Sequence, residues 1–163
     1  MRMELLHHLA SPCCAGELRF SSLEQMPRPG VEMDSGALAC ALCRREYPIV
    51  AGIPRLNLPG AGSAQVEKTT ESFAWEWQRY PGALVEDERI FREESQLGPG
   101  GLKDKLVLDA GCGMGRYAMV ARALGAEVVA VDRSASLERL IEAAKSDPKL
   151  HLVQGDLLWP PLK

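Results

Sequence analysis

The sequence predicts an α/β protein in two unlike parts, a small β-rich part followed by a unit of alternating parallel strands and helices. Three observations support this prediction. Short strand-like pieces broken by Pro and Gly, with four of the five cysteines, occupy residues 1–58. A glycine-rich loop joins an apolar run to a helical pattern at residues 106–124. After this loop, apolar runs of strand length alternate with helical patterns.

Composition excludes several classes of protein. The 163 residues are 46% hydrophobic and 25% charged, as in ordinary globular proteins. A net charge of -3 gives no overall attraction to nucleic acid or to an anionic membrane. No apolar run approaches the length of a membrane span, and the N-terminus lacks a signal-peptide core, so we expect a cytoplasmic protein. In that compartment, five cysteines indicate metal or redox chemistry before disulfides.

The first part, residues 1–58, contains candidate metal ligands. Cys40 and Cys43 have the C-x-x-C spacing at which two thiolates grip one tetrahedral zinc ion. A second such pair ending at Cys14 would need a cysteine at position 11, which is Ser11. Adjacent side chains diverge, so Cys13 and Cys14 share one ion with difficulty, and a histidine at position 7 or 8 is a further candidate. A ribbon without metal is the alternative. The predicted zinc ligands are Cys13, Cys14, Cys40 and Cys43.

Residues 38–56 resemble the C-terminal half of a known small domain. The Tyr-Pro-Ile and Gly-Ile-Pro-Arg-Leu pieces at residues 47–56 are the specific part of this likeness. The domain is the zinc ribbon of a small family that activates methyltransferases, and in bacteria the same ribbon is found fused ahead of a methyltransferase domain. Ser11 departs from the family's first cysteine. The resemblance implies a zinc-ribbon-like domain over residues 1–58.

Between the two parts the sequence predicts a linker and a helical lead-in. Residues 59–68 are the predicted linker, since Pro, Gly and Ser are concentrated from position 58 to 64. Residues 69–104 form the lead-in, with four aromatic residues between positions 71 and 80. Packing against the main domain is the simpler interpretation of these aromatics, and a lid over a binding pocket is the other. A helix is predicted over 86–97, with its charged side chains forming a solvated face.

Residues 105–163 predict a βαβαβ unit. Strands are expected at 105–109, 127–131 and 150–153, and the second is apolar enough to be a central parallel strand. A first helix is expected over 116–124, before Gly125, and a second is expected to be capped by Ser134. The unit is therefore Rossmann-like, with a ligand expected at the carboxyl ends of its strands.

The glycine loop decides between two nucleotide interpretations. Its pattern is G-x-G-x-G at Gly111, Gly113 and Gly115, and Arg116 stands where a dinucleotide fingerprint has its last glycine. Asp109 lies at the strand end, where a carboxylate favours an ammonium-bearing ligand over a pyrophosphate. The stretch resembles motif I of class I S-adenosylmethionine (SAM) methyltransferases. An ordinary glycine-rich turn and an NAD-dependent dehydrogenase are the alternatives.

This resemblance implies a set of site residues. Asp109 would face the amino-acid part of SAM, Asp132 the ribose, and Asp156 with the Leu157 N–H the adenine. Cys112 is interpreted as a small loop residue, and no catalytic base is assigned. The predicted cofactor-binding residues are Asp109, Ala110, Gly111, Cys112, Gly113, Gly115, Arg116, Asp132, Arg133, Gly155, Asp156 and Leu157.

The function expected from these features is SAM-dependent methyl transfer to an unidentified small molecule, RNA or protein. The sequence supplies three strands of the methyltransferase fold and lacks the later loop that usually faces the acceptor. We therefore expect an incomplete, fragment-like domain whose catalytic activity alone is weak or absent. One sheet edge and part of its faces would need a protein partner or a second copy. The alternative is a non-catalytic zinc-ribbon module that docks on a methyltransferase or an RNA-associated partner.

Overall fold

The computed structural model describes residues 1–21, 32–60 and 86–163. Its N-terminal part is a four-stranded antiparallel sheet in the order β1-β2-β3-β4, preceded by a one-turn helix, α1 (Met3–Leu6). Side chains alternate between buried and exposed along β3, so one face of this sheet meets a core. The predicted small β-rich part is confirmed. Its strands are β1 (Leu18–Phe20), β2 (Gly36–Cys40), β3 (Glu46–Val50) and β4 (Ile53–Pro54).

The second part is a three-stranded parallel sheet in the order β5-β6-β7. Ala110 of β5 pairs with Val131 of β6, and Asp132 of β6 pairs with Gln154 of β7, so the three carboxyl ends lie at one edge. The predicted parallel, Rossmann-like arrangement is confirmed. The strands are β5 (Leu106–Ala110), β6 (Glu127–Asp132) and β7 (Leu150–Gln154).

Helices connect these strands. The helix predicted after the glycine loop is confirmed and is followed by Gly125 at φ 91°. The second predicted helix is divided: a 3-10 helix precedes a short α-helix, and the Ser134 hydroxyl caps the first by accepting from the Ser136 N–H. The helices are α2 (Asp87–Ser95), α3 (Arg116–Ala123), the 3-10 helix (Ala135–Leu140) and α4 (Ile141–Ser146).

Strands β6 and β7 of the parallel sheet are buried on both faces, and different parts of the chain cover the two faces. On one face, Val128 and Ala130 belong to an apolar core with residues of α3, the 3-10 helix and α4. On the other face, Val129, Val131 and Val153 share a core with side chains of the N-terminal part. Those side chains include Leu5, Leu9, Leu38 and Leu56. The N-terminal part thus covers the sheet face opposite to α3, the 3-10 helix and α4.

Backbone pairing extends this packing around one sheet edge. Arg55, directly after β4, forms a parallel bridge with Gln154 of β7, and the Leu56 N–H donates to the Gln154 carbonyl at 2.7 Å. Further along the face, Leu9 forms an antiparallel bridge with Leu162. The β7 edge is therefore paired with the N-terminal part at this bridge.

The opposite edge is different. Leu106 and Leu108 of β5 are 52% and 48% exposed, beside a cavity of about 220 Å³ that His7 and His8 also line. The expectation of an exposed sheet edge therefore holds at β5, within the described part of the chain. The histidines lie at this cavity and not among the cysteine thiols, so the structure gives them no place as zinc ligands.

Several sequence expectations fall outside the described residues. The aromatic stretch at 71–80 and most of the predicted linker at 59–68 are among them, so packing and lid remain alternatives for the aromatics. The predicted helix at 86–97 is observed as α2, two residues shorter at its C-terminal end. None of the helices in the described ranges is sufficiently long and apolar to cross a membrane.

Candidate functional site

The glycine loop is braced against the carboxyl end of β6. The Gly111 and Cys112 N–H groups donate to the Val131 carbonyl at 2.8 and 3.0 Å, and the Gly113 N–H donates to Asp132 Oδ2 at 2.8 Å. The loop has positive φ at Gly111, 113 and 115, a conformation that other residues adopt with strain. Backbone N–H groups of the loop therefore fix its position against the carboxyl end of β6.

Gly115 also carries a packing constraint. A β-carbon at this position would lie 2.3 Å from Leu140 Cδ1, a side chain of the 3-10 helix. A larger residue would therefore displace the helix as well as strain the loop. The third glycine serves close helix–loop packing, which is the role that the last glycine has in other nucleotide loops.

Asp109 presents a buried carboxylate to the space above this loop. Its Oδ2 atom is buried and has no hydrogen-bond partner among the described residues. Burial is the largest cause that raises the pKa of this carboxyl, and the nearby charge of Asp132 adds to it, while the Ala118 N–H opposes it. An unpartnered buried oxygen is costly, and a cationic or N–H-bearing ligand group would satisfy it.

Asp132 is a structural bridge as well as a cavity residue. Its Oδ2 accepts from Gly113, and its Oδ1 accepts from both the N–H and the hydroxyl of Ser134, each at 2.7 Å. The carboxylate therefore joins the glycine loop to the start of the 3-10 helix. Oδ1 has both lone pairs occupied, whereas Oδ2 accepts one bond and retains a lone pair that a ligand hydroxyl would use.

Asp156 lies at the end of the cavity formed by the loop after β7. The Arg133 Nη1 donates to its Oδ2 at 2.5 Å, and the Leu158 N–H donates to its Oδ1 at 2.9 Å. Gly155 allows this loop to approach closely, since a β-carbon there would lie 2.6 Å from Pro161 Cγ. Arg133 and Gly155 thus both determine where the Asp156 carboxylate lies.

Arg116 has a partner that the sequence did not indicate. It forms a two-pronged ion pair with Asp87 of α2, with Nε 2.9 and 3.1 Å from the two carboxylate oxygens. The Asp87 side chain is 1% exposed, so the prediction that the charges of this helix form a solvated face is wrong at Asp87. A neighbouring contact, Phe91 edge-on to Tyr117 at 5.5 Å, also joins α2 to α3.

Most of the predicted site residues surround one cavity of about 510 Å³. Ala110 and Gly115 do not line it, although they belong to the same loop. Met114, Tyr117 and Ser134 line it and were not predicted; their only sequence signal is their position beside the motif residues. The predicted residues on its wall are Asp109, Gly111, Cys112, Gly113, Arg116, Asp132, Arg133, Gly155, Asp156 and Leu157.

Cys112 is not set up as a nucleophile. The thiol is buried, and burial is the main cause that raises its pKa far above the ordinary value, with the charges of Asp109 and Asp132 acting in the same direction. A nucleophilic cysteine needs the opposite shift. This agrees with its interpretation as a small residue of the cavity wall.

Four thiols converge in the N-terminal part. Cys13 Sγ is 3.1 Å from Cys43 Sγ, and Cys14 Sγ is 3.5 Å from Cys40 Sγ. Ligand atoms of the first two and of Cys14 lie within 4.8 Å of one another. Cys13 and Cys14, which were expected to share one ion only with difficulty, therefore have sulfurs close enough together to contact the same ion. Both cysteines lie in a tight turn in which the Cys14 and Ala15 N–H groups donate to the Ser11 carbonyl at 3.3 and 2.8 Å.

The surroundings of this thiol cluster favour ionised sulfur at Cys13 and Cys40. At Cys43 the Arg45 N–H lowers the pKa, but hydrogen bonding with Cys13 and burial outweigh it and raise the pKa to about 11. The Cys13 pKa is lowered to about 7, mainly because Ser11 Oγ lies 3.3 Å from its sulfur. Burial raises the Cys40 pKa, but the N–H groups of Leu42 and Cys43, each 3.4 Å from its sulfur, lower it to about 6. Ser11 therefore supports the cluster as a neighbour of Cys13, in the position where a ligand was missing from the sequence pattern.

Comparisons with known proteins address the two parts separately. Residues 2–52 match a family described as Trm112p-like protein, and residues 107–163 match a methyltransferase domain family. The chain therefore joins two segments, named here by the matches that they contain. The Trm112p-like segment is the N-terminal part at residues 1–58, which extends six residues beyond its match, and the methyltransferase segment is residues 105–163. Both resemblances inferred from the sequence are thereby confirmed. A search of curated proteins finds no match at its threshold.

A solved structure from Pyrococcus horikoshii, described as a "putative RNA methyltransferase", is similar at 20% sequence identity with a TM-score of 0.35. The similarity covers 53% of this chain and 51% of that chain. The present chain thus spans about half the length of that protein.

The two segments meet directly beside the candidate site. Asn57, at the end of the Trm112p-like segment, donates from Nδ2 to the Arg133 carbonyl at 2.9 Å. Arg55 bridges Gln154 Oε1 at 3.0 Å and Glu138 Oε1 at 2.7 Å. At the far end of the interface, Arg2 donates to three carbonyls at the C-terminus of α4, a favourable place for a cation. The contact is therefore polar at both ends and apolar between them.

Proposed function

We propose that this chain binds SAM in the cavity of its methyltransferase segment and serves methyl transfer. The observation that carries the proposal is the Asp109 carboxylate, which lines the cavity beside the glycine loop and has one buried oxygen with no hydrogen-bond partner among the described residues. An ammonium group fits this oxygen in charge and in hydrogen-bonding capacity. A pyrophosphate, as in NAD, would instead meet repulsion from Asp109, which disfavours the dehydrogenase alternative.

The remaining residues fit the other parts of the same cofactor. Asp132 would accept from the ribose hydroxyls, and Asp156 would accept from the adenine amino group, with the Leu157 N–H beside it. Gly111 and Gly113 would let the backbone approach the cofactor closely. Ala110 and Gly115 were predicted to bind the cofactor; since neither lines the cavity, the role that we propose for them is in the shape of the loop.

The chemistry that SAM supplies when bound is an electrophilic methyl group on a sulfonium. The chain's own contribution is to hold and orient: Asp109 and Asp132 provide negative charge toward a cationic ligand, and the buried loop excludes water from one side of it. No residue is assigned as a base, and the acceptor, whether small molecule, RNA or protein, is left open. A cytoplasmic location is part of the proposal, because the cysteine usage favours a reducing compartment.

The proposal is tested by titrating the folded chain with S-adenosylhomocysteine in a calorimeter. Asp109→Asn keeps the shape of the side chain and removes its charge, so we expect Kd to rise roughly tenfold or more. Asp104→Asn, which neutralises an exposed carboxylate before β5, is the matched control and should leave Kd unchanged. Absence of any binding to the folded wild-type chain would contradict the proposal. Asp132→Ala is less informative, since Asp132 also braces the loop.

We further propose that the thiol cluster holds one zinc ion through Cys13, Cys14, Cys40 and Cys43. Tetrahedral Zn–S bonds of about 2.3 Å place sulfurs roughly 3.8 Å apart. The Cys14–Cys40 separation of 3.5 Å is near that value, and the Cys13–Cys43 separation of 3.1 Å is shorter, so these two sulfurs would move apart on binding. Gly16 supports the site, since a β-carbon there would lie 2.7 Å from Cys40 Sγ. When bound, the metal would supply cross-links within a small core.

Metal content of the purified chain tests the zinc proposal. One zinc per chain is expected by elemental analysis, with its loss in Cys40→Ser and its retention in Cys112→Ser, which removes a buried thiol outside the cluster. A strong chelator should lower the melting temperature of the wild type and leave that of Cys40→Ser unmoved. Equal metal content in the two variants would refute the assignment.

A second function, docking without catalysis, is favoured by one observation. The Trm112p-like segment is already engaged with the methyltransferase segment of its own chain through a shared core and a backbone bridge. In this alternative the segment stabilises a methyltransferase domain as an activator module, and the chain transfers no methyl group alone. Cofactor binding without turnover toward RNA, protein or small-molecule acceptors would support it.

A further inference from the structure

The carbonyl of Arg133 accepts from two side-chain amides at once. Asn57 Nδ2 donates to it at 2.9 Å from the Trm112p-like segment, and Gln154 Nε2 donates to it at 3.0 Å from β7. Both lone pairs of this one carbonyl are therefore occupied by side chains. A backbone group held in this way has little freedom to rotate, so the turn that contains Arg133 is fixed from outside the cavity.

The two amides are themselves fixed. Gln154 Oε1 accepts from Arg55 Nη1 at 3.0 Å, and Arg55 also reaches Glu138 on the 3-10 helix. The Gln154 backbone carbonyl accepts from the Leu56 N–H. Residues 55–57 of the Trm112p-like segment thus contact β7, the 3-10 helix and the turn at 132–134 within three consecutive positions.

The turn that receives these contacts carries the cavity's polar groups. On one side of the held carbonyl, Asp132 accepts from Gly113 of the glycine loop. On the other side, Ser134 donates to the same Asp132 carboxylate. The Arg133 side chain holds Asp156 at the far wall. A rotation of the Arg133 peptide would therefore move Asp132 and Asp156, two of the three carboxylates that line the cavity.

The Asn57 side chain is not explained by packing alone. Its Oδ1 is buried and has no hydrogen-bond partner among the described residues, so the side chain leaves one polar atom unsatisfied while its amide reaches Arg133. An apolar residue of similar size would avoid that cost. The amide is thus unfavourable for packing and useful for its single donated bond.

We propose that Asn57, together with Gln154, is a positioning residue for the turn at 132–134, so that the Trm112p-like segment sets the cofactor affinity of the cavity within its own chain. The inference rests on the proposed function, since it concerns the affinity of that same cavity. It adds two residues outside the cavity wall that determine where the wall's carboxylates lie.

The test compares Asn57→Leu and Gln154→Leu with the wild-type chain in calorimetric titrations with S-adenosylhomocysteine. Each variant should raise Kd roughly two- to tenfold, the range that corresponds to one net hydrogen bond. Arg2→Met is the matched control, because it removes a contact of the same interface far along α4. Its Kd should stay within about twofold of the wild type even if its melting temperature falls.

A second readout needs no ligand. Amide hydrogen exchange of Gly113 and Ser134, both bonded to Asp132, should be faster in Asn57→Leu than in the wild type and unchanged in Arg2→Met. A structural role alone would lower the melting temperature of all three variants without this local difference. If the wild type binds and Asn57→Leu binds equally well, the positioning role is wrong while the proposed function stands. If the wild type does not bind, the proposed function fails, and unchanged exchange at Gly113 and Ser134 overturns the positioning role as well.

Discussion

The two edges of the parallel sheet are treated in opposite ways. At the β7 edge, Leu56 is fully buried and its N–H pairs with the strand backbone. At the β5 edge, Leu106 and Leu108 are about half exposed. Both edges present the same unpaired row of backbone groups before they are covered, and uncovered rows are prone to pair with other chains. The Trm112p-like segment therefore covers the β7 edge of this sheet and leaves the β5 edge exposed.

The largest expected effect comes from equal truncations at the two edges. Leu56→Ala removes a buried side chain from the core shared by both segments, so the free energy of unfolding should fall by about 2–5 kcal/mol. Leu108→Ala removes the same atoms from a half-exposed site and should cost about 1 kcal/mol or less. Chemical denaturation measures both. Equal losses would mean that the edges do not differ in energy as they do in exposure.

A smaller effect is expected at the polar end of the interface. Arg2→Met keeps the aliphatic stem but removes the donors to the α4 carbonyls, and should lower the free energy of unfolding by about 1–3 kcal/mol. Arg19→Met removes an exposed ion pair with Glu17 within the Trm112p-like segment and should change it by less than about 1 kcal/mol. A matching loss in the two variants would show that Arg2 is no better anchored than a surface arginine.

The smallest effect on stability is expected at the open edge itself. The double change Leu106→Thr with Leu108→Thr should alter the free energy of unfolding by less than about 1 kcal/mol, because both side chains are already half in water. Sedimentation at increasing concentration should show less self-association than the wild type. Leu158→Thr, at an exposed leucine away from this edge, is the control and should leave association as it was.

The strands and the glycine loop were predictable because their signals are local. The run Glu127–Asp132 is apolar at four central positions, which indicates a strand covered on both faces. Nothing in that run tells what covers each face. The answer, helices on one side and the Trm112p-like segment on the other, depends on contacts between residues far apart in the chain, which hydrophobic periodicity does not encode.

The candidate site shows the same limit. Asp109 and Asp132 were found from their spacing around three glycines. Asp87 was taken for a surface charge because a carboxylate in the first turn of a charged helix usually is one, and only the fold brings Arg116 to it. Cys13 and Cys14 were expected to share one ion with difficulty because adjacent side chains diverge in extended backbone, whereas here both lie in a tight turn closed by hydrogen bonds to the Ser11 carbonyl.

The bridge between Arg55 and Gln154 also has a consequence for synthesis on the ribosome. These two residues are 99 positions apart, so the Trm112p-like segment is complete long before its sheet exists. At about 5–20 residues per second the delay is on the order of 5–20 s. During that interval Leu9, Leu38 and Leu56 have no valines to pack against, whereas the thiols at positions 13–43 are all available. If these thiols came together early, the Trm112p-like segment would have a defined fold before the parallel sheet was synthesised.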